Sequence, residues 1–345
     1  MKLGTQGRGR VIVPQGIHLP TMRAIAALLA TWLLLAIGSL VFGEQTIAFP
    51  RAWRSLLGRG ASDEIFIVQS LRAPRLLMAF LVGASLALSG AILQAMIKNP
   101  LAAPDVIGIS GGASVGAVAF ITYLSSHVSI HWMPVASMIG AVAAAGLVYW
   151  LAWKDGAQPL RLVLVGIGIG SLLSALTSFM LVFSPSYSAS SSYIWLTGTI
   201  YGSTWVEVTV LLPWVLLFGV LLYGFKGAMN VQLLGDELAI GLGSRVQRNR
   251  MVLIVISVGL AGAAVSMGGV IGFVGLIAPH IARKLVGPVA HRLLPVAALT
   301  GGAVVAFADL VARTIFLPLD IPVGVFTSGI GAPFFIYLLY RTRKQ

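Results

Sequence analysis

Polar residues divide this chain into short turns, and between the turns lie apolar runs of about 20 residues, repeating from residue 22 to residue 340. A helix rises about 1.5 Å per residue, so a run of about 20 matches a hydrocarbon layer of ~30 Å. The pattern predicts ten spans, near 22–42, 75–97, 104–124, 133–153, 161–183, 206–225, 251–268, 270–286, 293–316 and 322–340. The seventh and eighth share 32 uncharged residues between Arg250 and Arg283. Gly268-Gly269 marks the expected break there, because each Gly weakens a helix interior by about 1 kcal/mol. The second span carries a seam of Gly83, Ala87, Gly90, Ala91 and Ala95. Small side chains of that kind let a neighbouring helix approach closely.

Composition turns this pattern into a class. With 58% hydrophobic and 10% charged residues, the chain lies far from the soluble average of about 25% charged. The fold predicted is all-α and polytopic, one transmembrane domain over residues 1–345 with no soluble domain. A first apolar run with a basic flank could be a signal peptide, but no Ala-x-Ala site follows it, so an uncleaved first span is expected. The absence of cysteine excludes disulfides, Cys-ligated zinc and iron–sulfur clusters. Two outer segments are long. Residues 43–74 have room for a short interfacial helix around Trp53, and 184–205 open with Ser-rich, linker-like sequence.

Charge supplies the orientation. Seventeen of the 23 Lys and Arg fall on one set of loops and both termini, and only Arg51, Arg54, Arg59, Arg72, Arg75 and Arg313 fall on the other. The positive-inside bias therefore predicts cytoplasmic termini. The same scatter over short loops excludes a nucleic-acid surface, despite a formal charge of +13. A faint internal repeat pairs Gly83, Ala84, Gly90, Ile92 and Pro100 with Gly262, Ala263, Gly269, Ile271 and Pro279 at an offset of 179. It would make two five-span halves of opposite orientation, a plan common in transporters.

Five motifs occur in a fixed order: Arg72-Ala73-Pro74-Arg75 running through Lys98-Asn99-Pro100 to Gly108-Ile109-Ser110-Gly111-Gly112; residues 233–243; Gly272-Phe273-Val274-Gly275-Leu276-Ile277-Ala278-Pro279-His280; Ala308-Asp309-Leu310-Val311-Ala312-Arg313; and residues 321–335. Together they resemble the FecCD-type permeases, the membrane subunits of ABC importers for iron–siderophore, haem and cobalamin. The resemblance covers about residues 60–341. It implies a second permease subunit, identical or paralogous, with two ATPases and an extracellular binding protein, in a bacterial cytoplasmic membrane. A ferric siderophore is the cargo it implies first, haem or cobalamin second.

The polar segment 226–250 is the longest between spans on the inner side. Leu234, Leu238 and Leu242 recur every four residues beside Asp236 and Glu237, so a short helix there carries an apolar stripe. Pattern alone fits packing against the chain's own spans or the lipid interface. The resemblance assigns Leu234, Gly235, Asp236, Glu237, Leu238, Ala239, Gly241, Leu242 and Gly243 to coupling with the ATPase. No cofactor is expected on this chain. Walker A needs Gly-x4-Gly-Lys-Ser/Thr, and none of the six lysines follows a Gly, so ATP belongs to a partner subunit and the chain is no enzyme.

Arg72 and Arg75 end one span and Arg313 ends another, where snorkelling to the interface is the ordinary role. By resemblance these three arginines meet acidic residues of the binding protein. Asp309 precedes Arg313 by four residues, and a pair between them would neutralise the acid within a span. Ser171, Ser174 and Ser178 form a hydroxyl stripe, with Thr327 and Ser328 on the last span. Such residues suit either helix contacts or a weakly polar translocation wall. His127 and His131 lack a third metal ligand, and His280 reads as a structural hydrogen-bonder. Two rival classes remain: an intramembrane serine protease built on Gly108-Ile109-Ser110-Gly111 with His280 as base, and an ion-gradient transporter, which leaves 226–250 without a task.

Overall fold

A computed structural model describes residues 19–342 apart from 155, 157, 318 and 319. Lys2, Arg8, Arg10, Arg343 and Lys344, counted above in the charge bias, lie outside the described residues. The helices in chain order are α1 (Leu19–Val41), α2 (Phe49–Leu56), α3 (Ser62–Ile65), α4 (Ala73–Ile97), α5 (Ile109–Ala119), α6 (Met133–Ala152) and α7 (Pro159–Val182). They continue with α8 (Ser186–Leu196), α9 (Trp205–Gly224), α10 (Lys226–Leu234), α11 (Asp236–Gly241), α12 (Val246–Gly268), α13 (Val274–Val286), α14 (Ala290–Ile315) and α15 (Val323–Thr342). No strand occurs among the described residues.

Eight helices are long and apolar enough to cross a membrane. The other two expected spans are shorter. The run predicted over 104–124 begins as a 3₁₀ turn at Pro104–Ile107, breaks at Gly108 (φ 76°), and is helical only over Ile109–Leu124. The eighth is α13, whose 13 residues reach about 20 Å, short of a ~30 Å layer. The break between α12 and α13 falls where Gly268-Gly269 placed it, with Gly269 at φ 67°.

That break leaves non-helical backbone inside the bundle, which is tolerated only where protein covers it. The turn after α8 supplies the cover. A Cβ on Gly198 would lie 2.5 Å from the Val270 carbonyl oxygen, and one on Gly324 2.0 Å from that of Thr197. The Gly324 N–H also donates to the Gly198 carbonyl at 3.0 Å. α8 itself corrects the linker expectation for the serines. Ser190 and Ser191 turn their hydroxyls onto carbonyls four residues back, and Ser192 and Trp195 are buried.

α4 and α12 form the core and are buried over most of their length. Their interface holds a buried Ser89–Ser257 hydroxyl pair at 2.7 Å. The small-residue seam of α4 serves two neighbours. Gly83 meets Gly301 of α14, where a Cβ would stand 2.3 Å from the carbonyl oxygen, and Gly90 meets Gly275 of α13 at 1.8 Å. No side chain fits either crossing. α1, α7, α9 and α15 surround this core and expose most of their apolar surface. Two indoles fasten the periphery to the core: Trp32 donates to the Leu299 carbonyl (3.0 Å) and Trp214 to that of Gly259 (2.9 Å). The 179-residue offset pairs α4 with α12 at Gly83 and Gly262 but reaches unlike elements beyond them. Gly90 lies inside α4 but Gly269 in the break, and Pro100 lies in a turn but Pro279 inside α13.

Chain direction sorts the connections into two ends. The near end holds the start of α1, the α4–α5 turn and residues 225–245; the far end holds α2, α3, α8 and the α14–α15 loop. α2 is the short helix expected near Trp53, whose indole is exposed beside Arg54.

Candidate functional site

At the near end, α10 and α11 replace the single short helix expected over 234–242. Gly235 adopts φ 111°, ends α10 and starts α11, and Gly243 (φ 77°) closes the unit. The stripe survives the break: Leu234, Leu238 and Leu242 are exposed by 53–66%. Ile240 joins them at 64%, an addition that four-residue spacing does not find. Ala239 is fully buried beneath, and Glu237 is exposed. Exposed apolar side chains clustered beside charged loop residues suit contact with another protein or with the membrane interface.

Asp236 turns away from the stripe. Nη2 of Arg250, in the second turn of α12, donates to both Asp236 oxygens at 2.8 and 2.9 Å. Arg250 is 1% exposed, the largest fully buried side chain among the described residues. Its signal in the sequence was its position, the last charge before 32 uncharged residues. α10 is fixed separately. Met229 is buried among Leu222, Leu253 and Leu293, and the Asn230 carboxamide oxygen accepts from the Ala290 N–H at 2.8 Å.

At the far end, the arginines expected to face a binding protein are drawn inside. Arg72, Arg75 and Arg313 are 5–8% exposed. The stretch Phe66–Arg72 is π-helical, and the two guanidiniums at 72 and 75 part to different neighbours. Arg72 caps the end of α1, donating to the carbonyls of Leu40 (2.6 Å), Val41 (3.0 Å) and Gln45. The first two are carbonyls that the end of a helix leaves without intrahelical donors, and Gln45 lies in the turn that follows. Arg75 binds two acids: Asp309 at 2.7 Å and Asp320 through paired contacts of 2.5 and 2.9 Å. Tyr201 lies over its guanidinium at 5.6 Å.

The Asp309–Arg313 pairing is therefore secondary. Asp309 reaches Arg313 at 3.6 Å but Arg75 at 2.7 Å, and Arg313 directs its Nη2 to Ser39, carbonyl at 2.9 Å and hydroxyl at 2.5 Å. Asp320 was missed because it belongs to no span, although it stands directly before the Ile321-Pro322 motif. The exposed cations of this end are Arg51, Arg54 and Arg59, with Arg51 paired to Glu64 at 3.0 Å.

The hydroxyl stripe of α7 faces outward. Ser171, Ser174 and Ser178 are exposed, and Ser171 and Ser178 return their protons to carbonyls four residues back. A Cβ on Gly168 or Gly170 would touch nothing within 4 Å, whereas one on Gly166 would meet the Val106 carbonyl at 1.7 Å. Thr327 is buried and donates to Gly324, and Ser328 is half-buried beside Gly272. The hydroxyls on α7 and α15 are thus not equivalent. Ser110 donates to the Asp105 carboxylate, and the His280 ring meets Phe334 edge-on at 5.8 Å. The Ser110 hydroxyl is thus given to a carboxylate five residues back, where the protease reading needs it given to His280. His127 and His131 are exposed, and no group of three metal-ligating residues occurs among the described residues.

Residues 28–341 match the FecCD transport family. This chain belongs to that family. A FecCD relative from Dickeya dadantii, the achromobactin transport system permease protein CbrC, is 48% identical and covers 95% of this chain and 94% of its own. The probable siderophore transport permease YfhA of Bacillus subtilis is 46% identical over 85% of this chain and 87% of its own. Among solved structures, a metal-chelate type ABC transporter in an inward-facing conformation superposes with a TM-score of 0.81. It is 29% identical and covers 93% of this chain and 99% of its own. The FecCD membership makes the chain a multi-pass transport permease, so the protease and ion-gradient readings fall away. It also gives the broken α12–α13 element and the exposed α11 stripe a transport setting.

Proposed function

We propose that this permease carries a ferric siderophore across a bacterial cytoplasmic membrane, driven by a separate ATPase. Both termini and the α10–α11 unit then lie in the cytoplasm. The exposed stripe of Leu234, Leu238, Ile240 and Leu242 is the observation that carries this reading. Four apolar side chains at the water end of a membrane protein favour a covering partner, and the ATPase is the partner this transporter class supplies. Siderophore cargo rests on the names of the relatives CbrC and YfhA. Cobalamin is the competing cargo, since a Halobacterium salinarum cobalamin permease is 47% identical over 79% of this chain.

A second permease would cover α7, where Gly168, Gly170 and the serines form a smooth, weakly polar face. Ser171, Ser174 and Ser178, with half-buried Ser328, would then line the route between the two copies, and buried Thr327 would stand behind that wall. An extracellular binding protein would dock on the far end. Exposed Arg54 and Arg59 would meet its acidic residues first, with Arg72, Arg75 and Arg313 supporting that surface from below.

The deciding experiment is Leu238→Asp. A charge on the stripe should abolish ATPase co-purification and uptake of iron-loaded siderophore, while the permease inserts normally. Undiminished co-purification would refute the coupling reading. Uptake of cobalamin in place of a ferric siderophore by the intact system would reassign the cargo.

A further inference from the structure

α11 has only six residues, and one of them, Ala239, is fully buried. Its chain connections are glycines at positive φ on both sides, Gly235 (111°) and Gly243 (77°). Backbone in that region is accessible to Gly and strained for other residues, so both joints are pliant ones. Little apolar packing therefore holds α11 to the bundle. A side-chain bond that does so joins Asp236 to Arg250.

The two ends of that bond differ in setting. Asp236 has a side chain 41% exposed, on the same short helix as Leu238 and Ile240. Arg250 is 1% exposed on the first turns of α12, the helix that packs along α4 and α6. A charge-assisted contact of one guanidinium nitrogen to both carboxylate oxygens is among the stronger hydrogen bonds available to side chains. α10, by contrast, is fixed to the start of α14 through Asn230. The unit is thus divided at Gly235, with α10 attached to α14 and α11 attached to α12.

We propose that Arg250 is a positioning residue that transmits displacement of α11 into α12, making the Asp236–Arg250 bond a mechanical link between ATPase and permease core. This rests on the coupling reading above. α12 ends at the Gly269 break, so movement at its near end reaches the non-helical segment 269–273 directly. Without the bond, α11 would remain seated on the ATPase and pivot about its two glycines, and the stroke would be lost there.

The test uses the full permease with its ATPase in proteoliposomes, carrying spin labels at exposed Tyr123 and Phe316 on the far end. ATP with vanadate should change the label distance in the unaltered permease. Asp236→Asn keeps shape and removes the charge. It should retain ATPase co-purification and ATP hydrolysis, yet lose at least about half of the distance change, the signature of a gating defect. Asp236→Glu should restore it. Arg250→Gln, which removes the charge from the other end of the bond, should resemble Asp236→Asn. A full distance change in Asp236→Asn with ATPase bound would overturn this inference alone. Loss of ATPase binding in Asp236→Asn would also overturn it, because Asp236 would then be a contact. Retained ATPase in Leu238→Asp would instead remove the coupling reading beneath it.

Discussion

Ionic groups at the two ends of this permease are built in opposite ways. At the far end, Asp309 and Asp320 close on Arg75 from α14 and from the α14–α15 loop, and Asp309 is 2% exposed. Three elements are joined there, and Arg72, Arg75 and Arg313 each have several partners. At the near end, a buried Arg250 holds a half-exposed Asp236 on a six-residue helix between two glycines. The first arrangement resists relative movement of α1, α4 and α14. The second lets a short helix pivot while keeping its tie to α12. Both are Arg–Asp pairs, and what separates them is the number of elements each pair joins and how well those elements are otherwise packed.

The sharpest way to break the far-end arrangement is Asp309→Ala. Arg75 would keep Asp320, but two buried guanidiniums would lose a shared counter-charge. Removing one partner from a buried pair typically costs about 3–5 kcal/mol. The expected outcome is a large fall in the yield and thermal stability of the detergent-purified permease, read by size-exclusion after heating. Asp309→Asn should recover part of it by keeping hydrogen-bond acceptance toward Arg75. Stability equal to the unaltered protein in both variants would mean that this cluster is not structural.

A smaller effect is expected where packing, not charge, joins α4 to its neighbours. Gly90→Ala puts a Cβ at 1.8 Å from the Gly275 carbonyl oxygen, and α4 and α13 must separate to admit it. Overpacking of this kind costs about 1–3 kcal/mol. Gly168→Ala is the matched control, since nothing lies within 4 Å of its Cβ within the chain. Stability of the separated permease should be unchanged by it. Impaired assembly of two copies would identify α7 as their contact.

Much of this was legible in the sequence, for reasons that can be named. The spans follow from the apolar runs, and the α12–α13 break from Gly268-Gly269, because membrane insertion and backbone strain are local properties. The stripe of α11 was legible for the same reason. What the sequence concealed was partnership. The i,i+4 spacing of Asp309 and Arg313 suggested a pair within one helix, yet Arg75, 234 residues away in sequence, makes the shorter contacts. Arg72 and Arg75 end the same span, yet the π-helical stretch before α4 and the carbonyls of α1 draw them apart. Ser-rich composition suggested a linker at α8, but Trp195 and the uncovered backbone at Gly269 gave that segment something to pack against.

The smallest effect expected tests whether burial, and not the mere presence of an Arg–carboxylate contact, sets the strength of the far-end cluster. Arg51 and Glu64 join α2 to α3 at 3.0 Å, nearly as short a contact as those around Arg75. Their setting differs, since the Arg51 side chain is 62% exposed. Exposed pairs of this kind are typically worth about 0.2–1 kcal/mol, because water solvates both charges well when they part. Arg51→Ala should therefore shift thermal stability slightly, and that shift should shrink further in high salt, where screening extends over only ~3 Å at 1 M. Asp309→Ala should keep most of its effect in the same salt, since its partners are shielded from the ions. A loss from Arg51→Ala as large as that from Asp309→Ala, and equally indifferent to salt, would show that contact distance alone ranks these pairs.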